Sequence, residues 1–319
     1  MEPTALLSGV KTRSVLGGHE TFAFRNGWLK KGVDAVAEKG QIFTQDDALI
    51  TLGVGKNMVR SIRHWCLATK LLEELPSEGR SHTLTPTWLA KKLFLDDKWD
   101  PYLEKEGSLW LMHWQIATNK VRSLIWGIVF SEYLETEFTK QSLANYLSRQ
   151  LAHYDVKTTN DMILRELDCC FHTYITTKAS IKQKNNSNGI AEDNLDCPLA
   201  ELELIRYMPE YELYHFNIGP KSTLPVEIFG YALLLFISSL SRQHSTIALE
   251  ECMYKPDSPG QVFKLDENSV VEYVNEIERK FSGKLRLIET AGLNQIYLSE
   301  EITSNIENSS RSFLASYYE

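Results

Sequence analysis

Residues 44–86 read TQDDALITLGVGKNMVRSIRHWCLATKLLEELPSEGRSHTLTP, and this stretch decides the fold that the sequence predicts for the N-terminal part of the chain. Thr44 is a candidate N-cap, and two aspartates follow it in the first turn, where carboxylates suit the positive end of a helix dipole. The short helix is predicted to end at Gly53, because glycine readily adopts the left-handed conformation that closes helices. A second helix is predicted from about Lys56 to Leu72.

The second helix has two chemically distinct faces. At about 100° per residue, apolar side chains such as Ile62 and Trp65 share one side, and polar or basic side chains share the other. Beyond the helix, LLEEL, PSEGRS and HTLTP predict strand, loop and strand, with Arg80 at the tip of the loop. Helix, turn, helix and a two-stranded wing together predict a winged helix-turn-helix.

The polar face has the composition of a DNA recognition helix. Arg60 or Arg63 can bond guanine edges, Asn57 can bond adenine, and Lys56 can contact phosphate. We therefore predict DNA binding by this face and by the wing, through Lys56, Asn57, Arg60, Ser61, Arg63, His64 and Arg80. Two alternatives stay open: the basic face is simply solvated, or the winged helix docks other proteins.

Charge is distributed unevenly along the 319 residues. The whole chain has a net charge of −8, yet residues 1–95 have a net charge of +4 and the remainder has −12. This asymmetry predicts a DNA-facing N-terminal portion and an acidic remainder that contacts protein partners. Lys11 and Arg13, in a loose N-terminal arm, are candidate contacts to the phosphate backbone, with a solvated tail as the alternative.

Composition argues for a cytoplasmic protein. The five cysteines show no CxxC pair and no zinc-ligand spacing, which fits a reducing compartment. No apolar leader follows the N-terminus. The most apolar run, Phe229–Leu240, is too short to span a membrane.

The pattern along the chain predicts a mainly α fold with small β-wings, divided into four parts. These are a winged-helix DNA-binding domain with an N-terminal arm at 1–95, a helical domain at 96–178, an Asn-rich linker or mobile loop at 179–200, and a C-terminal α+β region at 201–319. The last part again has winged-helix order, but its outward helix face is acidic on balance, so we predict that it contacts protein.

A compact set of polar groups lies near the N-terminus. Gly17-Gly18 permits an unusual backbone just before His19 and Glu20, and Arg25 follows within a few residues. Imidazole, carboxylate and guanidinium so close together suit acid–base or phosphate chemistry. The alternative is structural: Glu20 and Arg25 form an ion pair, and His19 caps a turn.

Several long stretches resemble one bacterial family. They are GGHETFAFRNGWLKKGVDAV (17–36), LGVGKNMVRSIRHWC (52–66), LTP (84–86), DPYLEKEGSLWLMHW (100–114), SPGQVFKLDE (258–267) and TAGLNQIYL (290–298). This family is encoded beside the sulfur-handling enzymes of DNA phosphorothioation gene clusters, and it includes the DNA-nicking B component of single-strand phosphorothioation systems. The stretches occur in order and cover most of the chain.

The resemblance implies a function and partners. The protein would nick one strand of double-stranded DNA so that sulfur replaces a non-bridging phosphate oxygen, which marks self DNA in defence against phage. Its partners would be a cysteine desulfurase, an ATP-pyrophosphatase-like sulfur transferase and an ATPase. The alternative is a non-enzymatic DNA-binding adaptor or transcriptional regulator that recruits this machinery. A homodimer on symmetric DNA is a further expectation.

The sequence does not show how a nick is made. It contains no PD-(D/E)xK or HNH arrangement and no obvious cluster of metal-binding carboxylates, which favours the adaptor. For a nickase, we predict His19 as acid or base, Glu20 as base or metal ligand, and Arg25 with Lys30 or Lys31 as a phosphate clamp. Mg²⁺ or Mn²⁺ would be the cofactor, because metal ions activate the nucleophile and stabilise charge in many such enzymes.

Overall fold

The computed structural model describes residues 16–75, 83–176, 197–240, 245–290 and 292–319. These residues are mainly helical, with small antiparallel sheets, which confirms the predicted fold class at that level. Within the described ranges, no helix has the length and apolar character needed to cross a membrane.

The N-terminal helices lie close to their predicted positions. They are α1 (Trp28–Glu38), a 3-10 turn (Ile42–Thr44), α2 (Ala48–Leu52) and α3 (Lys56–Ala68). Gly53 closes α2 with a φ of 61°, and its N–H bonds the carbonyls of Leu49 and Ile50, as predicted. Thr44 is not the N-cap of α2, because its hydroxyl donates to the Gln41 carbonyl at 2.8 Å and ends the preceding 3-10 turn.

A small two-stranded sheet follows α3. Strands β1 (Leu72–Glu74) and β2 (Leu84–Pro86) pair antiparallel, with Glu73 opposite Thr85. The predicted strands are therefore present, whereas the intervening loop tip and Arg80 lie outside the described residues. Helix α3 ends four residues before the predicted Leu72, because Leu72 belongs to β1.

Helices and a three-stranded sheet complete the larger of two compact units, which comprises residues 14–128 and 135–217. Its further elements are α4 (Trp88–Ala90) with a π-helical turn (Lys91–Leu95), α5 (Glu106–Ala117), α6 (Leu124–Gly127), β3 (Glu137–Phe138), α7 (Lys140–His153), α8 (Asn160–Tyr174), a 3-10 turn (Pro198–Leu202), β4 (Ile205–Met208) and β5 (Leu213–Phe216). A π-helical turn (Ile128–Glu132) follows α6, and its residues after Ile128 belong to the smaller unit. The sheet order is β3-β5-β4, with antiparallel pairing. Its core contains the fully buried Trp65, Trp110 and Trp126.

The smaller unit is discontinuous in the chain. Its described residues come from 129–134 and from 218 onward. Its elements are α9 (Val226–Ser239), β6 (Thr246–Ala248), α10 (Leu249–Tyr254), α11 (Pro259–Val262), α12 (Glu267–Lys280), β7 (Leu285–Thr290), β8 (Leu293–Leu298), α13 (Glu300–Ser304) and α14 (Ile306–Tyr318). The three strands form an antiparallel sheet in the order β6-β8-β7, in which β7 and β8 form a hairpin.

The two units differ in extent from the four predicted segments. The described residues of the predicted 1–95 and 96–178 segments lie mainly in the larger unit, so residue 95 is not a boundary of a compact unit. Most of the predicted 179–200 linker lies outside the described residues. Its end is not linker-like, because Cys197, Pro198, Leu199 and Ala200 are buried.

Candidate functional site

The outward face of α3 exposes fewer side chains than the sequence predicts. Lys56, Asn57 and Arg60 are exposed, and Arg63 is partly exposed. Ser61 and His64 are buried, so the prediction that they lie on the exposed polar face is wrong. The exposed surface of α3 therefore consists of Lys56 and Asn57 in its first turn and of Arg60 one turn further along.

Burial of His64 has a physical reason in the segment before α1. A Cβ added at Gly18 would lie 2.5 Å from His64 Nδ1, so the backbone at Gly18 passes directly over that ring. The helical periodicity of α3 correctly identifies a polar side. It carries no information about which part of that side another segment covers.

Carboxylates contact the arginines of this face. Arg60 Nη1 lies 3.2 Å from Glu20 Oε1, and Arg63 Nη2 lies 2.7 Å from Glu74 Oε1. Arg122, which follows α5, places its Nη2 atom 3.0 Å from the same Glu74 oxygen. The basic residues are thus held by ion pairs in defined positions at the surface.

The Gly17–Thr21 segment forms a tight left-handed turn. Gly17, Glu20 and Thr21 have φ angles of 74°, 50° and 68°. The Glu20 N–H donates to the Gly17 carbonyl at 3.1 Å, and the Phe22 N–H donates to the His19 carbonyl at 2.9 Å. This geometry directs the Glu20 side chain toward Arg60, where the two side chains form their ion pair.

A buried carboxylate on α8 anchors this turn. Glu166 accepts the Gly17 N–H at 2.5 Å through Oε1, and its Oε2 lies 3.1 Å from His19 Nε2 without hydrogen-bond geometry. His19 Nδ1 accepts the Thr21 N–H at 3.0 Å, so the neutral imidazole carries its proton on Nε2, facing the carboxylate. His19 and Glu166 are each only 2% exposed. Both ring nitrogens of His19 therefore face protein groups.

Aromatic rings surround the two histidines. His19 lies 5.7 Å from both the His64 ring and the Trp126 ring, and the His64 and Trp65 rings are 5.1 Å apart, measured between centroids. The Trp65 indole N–H donates to the Phe22 carbonyl at 2.9 Å, which fixes the segment before α1 against α3. Burial first, and then electrostatic interactions with His19, Arg122 and Arg63, lower the pKa of His64 to about 3. His64 is therefore neutral at physiological pH.

The remaining predicted residues have varied surroundings. The Arg25 guanidinium lies over the Phe22 and Trp28 rings, 5.8 and 5.5 Å from their centroids. Lys30 pairs with Asp34 at 2.6 Å, and Lys31 Nζ donates to the Leu52 carbonyl at the end of α2, at 3.0 Å. The predicted contacts Lys11, Arg13 and Arg80 lie outside the described residues.

Comparison with known proteins gives the family. A match to the family described as "Protein of unknown function (DUF4007)" extends over residues 16–318. The chain belongs to the DUF4007 family.

Solved structures resemble this DUF4007 chain over almost its whole length. A magnesium ion-bound SspB crystal structure has a TM-score of 0.84 and 29% sequence identity, and the alignment covers 96% of this chain and 88% of that chain. A second SspB crystal structure has the same TM-score and coverage, with 28% identity. These likenesses confirm the sequence resemblance to the B component of single-strand phosphorothioation systems. No curated protein sequence matches significantly.

The candidate magnesium ligands among the described residues of this DUF4007 chain are its His, Cys, Asp and Glu side chains. Within the ranges that the structure describes, no three His, Cys, Asp or Glu side chains come together in a way that holds a metal ion. Glu20 has Arg60 as a neighbour, and Glu166 is buried against His19. These residues do not form a metal site.

Sequence reasoning missed three charged residues of this site, namely Glu166, Glu74 and Arg122. For Glu166 a signal exists, because it lies on the apolar stripe of α8 with Ile163, Leu167 and Cys170, at helical spacing. A carboxylate in such a stripe indicates a buried partner. Glu74 and Arg122 give no such signal, since their proximity depends on packing between β1 and the turn after α5.

Proposed function

We propose that this protein binds double-stranded DNA in a bacterial DNA phosphorothioation system and nicks one strand. The observation that carries the proposal is the exposed start of α3, where Lys56, Asn57 and Arg60 face outward. We interpret α1, α2, α3, β1 and β2 as a winged helix-turn-helix with α3 as its recognition helix. The likeness to SspB supports the phosphorothioation setting.

Within this proposal, the exposed residues of α3 have different tasks. Arg60 and Asn57 reach base edges in the major groove, and Lys56 contacts phosphate. Arg63, Lys30 and Lys31 contact the backbone. The acidic remainder of the chain supports binding of partner proteins, which we expect to be the cysteine desulfurase, the sulfur transferase and the ATPase of the system. A cytoplasmic location and a homodimer belong to the same proposal.

Nicking requires a nucleophile, stabilisation of charge on phosphorus and a proton for the leaving group. Glu20 is suited to the role of base because its side chain is 29% exposed and lies beside the Arg60 guanidinium. Arg25, with Lys30 or Lys31, would stabilise the negative charge. His19 is buried, so we assign it a positioning role: it holds the turn that presents Glu20.

A second candidate is the non-enzymatic adaptor, and one observation favours it. His19 is 2% exposed and has protein groups against both ring nitrogens, so it cannot exchange protons with a substrate in this conformation. An adaptor needs the same exposed α3 face and no reactive group. The two candidates therefore share DNA binding and differ only in strand cleavage.

Supercoiled plasmid separates the two candidates. We expect the wild-type protein, incubated with Mg²⁺ or Mn²⁺, to produce open circles before any linear DNA. Glu20→Ala should abolish this product, whereas Glu38→Ala, which removes an exposed carboxylate from α1, should not. A parallel incubation with EDTA tests the expected cation requirement. Intact plasmid under every ion, with DNA still bound, would leave the adaptor as the function.

Sequence reading by α3 is tested separately. Arg60→Ala should cost about 1–3 kcal/mol at its preferred base and relax specificity there, measured by titrating labelled duplexes. Arg149→Ala, on the exposed surface of α7, is the matched arginine control. An equal loss of affinity on all duplexes would mean that Arg60 touches only phosphate, and no loss would remove α3 from the interface.

A further inference from the structure

Two arginines from different parts of the chain converge on one carboxylate oxygen. Arg63 lies on α3, Arg122 lies in the turn after α5, and both place Nη2 within hydrogen-bonding distance of Glu74 Oε1, at 2.7 and 3.0 Å. Because both guanidinium groups reach the same oxygen, both are also within reach of a single small anion. Two positive charges thus share the Glu74 carboxylate.

The group lies at the surface. The side chains of Arg63, Arg122 and Glu74 are 28%, 23% and 32% exposed. A cleft of about 320 Å³ adjoins it, lined by Glu74, Arg122, Lys70, Asn119 and Thr87 among others. The Asn119 side chain donates to the carbonyls of Leu67 and Ala68, which fixes the turn that carries Arg122 against the end of α3.

We propose that Arg63 and Arg122 form a seat for one backbone phosphate of DNA, and that Glu74 occupies this seat until DNA binds. The inference rests on the proposed DNA binding and extends the interface beyond the recognition helix to Arg122 and Glu74. A phosphodiester presents two anionic oxygens, which suit a pair of planar guanidinium donors better than one shared carboxylate oxygen does. Ion pairs this exposed contribute little to stability, so Glu74 is released at small cost.

The seat positions DNA and does not read its sequence. Contacts to phosphate fix register, and specificity comes from base edges. Arg60 lies about one turn before Arg63 on α3, and its Nη1 atom is 3.2 Å from Glu20 Oε1. This ion pair joins a single arginine to its carboxylate. The double-arginine arrangement at Glu74 therefore marks where the backbone is clamped, beyond the residues that enter the groove.

The test measures DNA binding by full-length protein as a function of salt. Labelled duplexes of several sequences are titrated with wild type, Arg122→Ala and Glu74→Gln. The matched controls are Arg206→Ala and Glu203→Gln, because Arg206 and Glu203 form a similar exposed pair at 2.6 Å on and beside β4. Thermal melts establish that each variant is folded, and Arg122→Gln, which removes the charge but keeps a long polar side chain, serves as a second variant if Arg122→Ala is not.

We expect Arg122→Ala to weaken binding equally on all duplexes and to reduce the slope of log affinity against log salt by about 0.9, the value for one lost phosphate contact. Glu74→Gln should strengthen binding by about tenfold at low salt, because a competing carboxylate is removed. The controls should leave the slope unchanged.

Two other outcomes overturn the inference in distinguishable ways. If Arg122→Ala and Glu74→Gln behave like the Arg206 and Glu203 controls while wild type binds DNA, the phosphate seat is wrong and the proposed function stands. If wild type binds no duplex at any salt concentration, the proposed function fails and the phosphate seat fails with it.

Discussion

Gly18 is the residue at which the backbone approaches another side chain most tightly within the site. A Cβ there would lie 2.5 Å from Nδ1 and 3.3 Å from Cε1 of the buried His64 ring. We predict that Gly18→Ala lowers the free energy of unfolding by about 1–3 kcal/mol, because the ring or the turn must move. Gly55→Ala is the control, since a Cβ at Gly55 meets nothing within 4 Å. Equal denaturant midpoints for the two variants would contradict the prediction.

His64 makes stability depend on pH. Burial lowers its pKa in the folded protein to about 3, below the usual value of about 6.5 for the unfolded chain. Between these values the unfolded state binds more protons, so stability is complete above pH 6.5 and falls as pH decreases. We predict a loss of about 2 kcal/mol between pH 7 and pH 5 from this group.

The prediction for His64 is checked with a variant that cannot be protonated. Denaturant unfolding of wild type and His64→Gln, measured at several pH values, gives the contribution of His64 as the difference between the two slopes. Parallel pH profiles would exclude His64 as the source of the acid sensitivity.

Single residues also show where sequence reasoning succeeds and fails. The apolar face of α3 was predictable because it follows helical periodicity, and Val59, Ile62, Trp65 and Cys66 are indeed buried. Ser61 and His64 were misplaced, and for His64 the reason is that the segment before α1 covers it. Helical periodicity shows which side chains of one helix share a face. It does not show whether another segment of the chain packs over that face, because that segment is not part of the helix sequence.

At the scale of elements, α8 stabilises the turn that precedes α1. Glu166 is 149 residues from Gly17 in sequence, yet its carboxylate accepts the Gly17 N–H and lies against His19. Thr159 caps helix α8, because its side-chain oxygen accepts the Met162 N–H. Its pairing with the turn was not predictable, because local propensity carries no information about contacts so distant in sequence.

We predict that Glu166→Ala destabilises the protein by about 3 kcal/mol, since it leaves a buried N–H and a buried imidazole without their anionic partner. Asp168→Ala on the same helix is the control: Asp168 is 54% exposed and pairs with Lys140 at the surface, so its loss should change stability by no more than about 0.5 kcal/mol. Thermal or denaturant unfolding gives both values. Similar losses for the two variants would show that Glu166 has no special structural role.

At the scale of the whole molecule, the described residues of the smaller unit come from two separate parts of the sequence. Ser131 donates its hydroxyl to Asp257 Oδ1 at 2.8 Å and accepts the Asp257 N–H at 2.7 Å. The buried Lys264 lies 3.4 Å from the Tyr133 carbonyl, and its burial lowers its pKa to about 7. If the chain is divided only where its composition changes, residues 129–134 are separated from the unit to which they belong.

We predict that Ser131→Ala destabilises the protein by about 1–3 kcal/mol, because the Asp257 N–H and carboxylate lose a buried partner. Ser316→Ala is the control, since its hydroxyl donates only locally, to the Phe313 carbonyl within α14 at 2.8 Å. Denaturant unfolding measures the two changes. A loss no larger than the control would mean that residues 129–134 contribute little to the smaller unit.

The discontinuity of this unit has a consequence for synthesis on the ribosome. Residues 129–134 leave the exit tunnel well before residues 218–319 have been translated. Ser131 and Tyr133 therefore cannot form their hydrogen bonds with Asp257 and Lys264 until those residues have been synthesised. The larger unit ends at residue 217, so it can fold while the residues that follow are still being translated. A nascent chain that stalls before Asp257 has been translated would therefore carry a finished larger unit beside an unfinished smaller one.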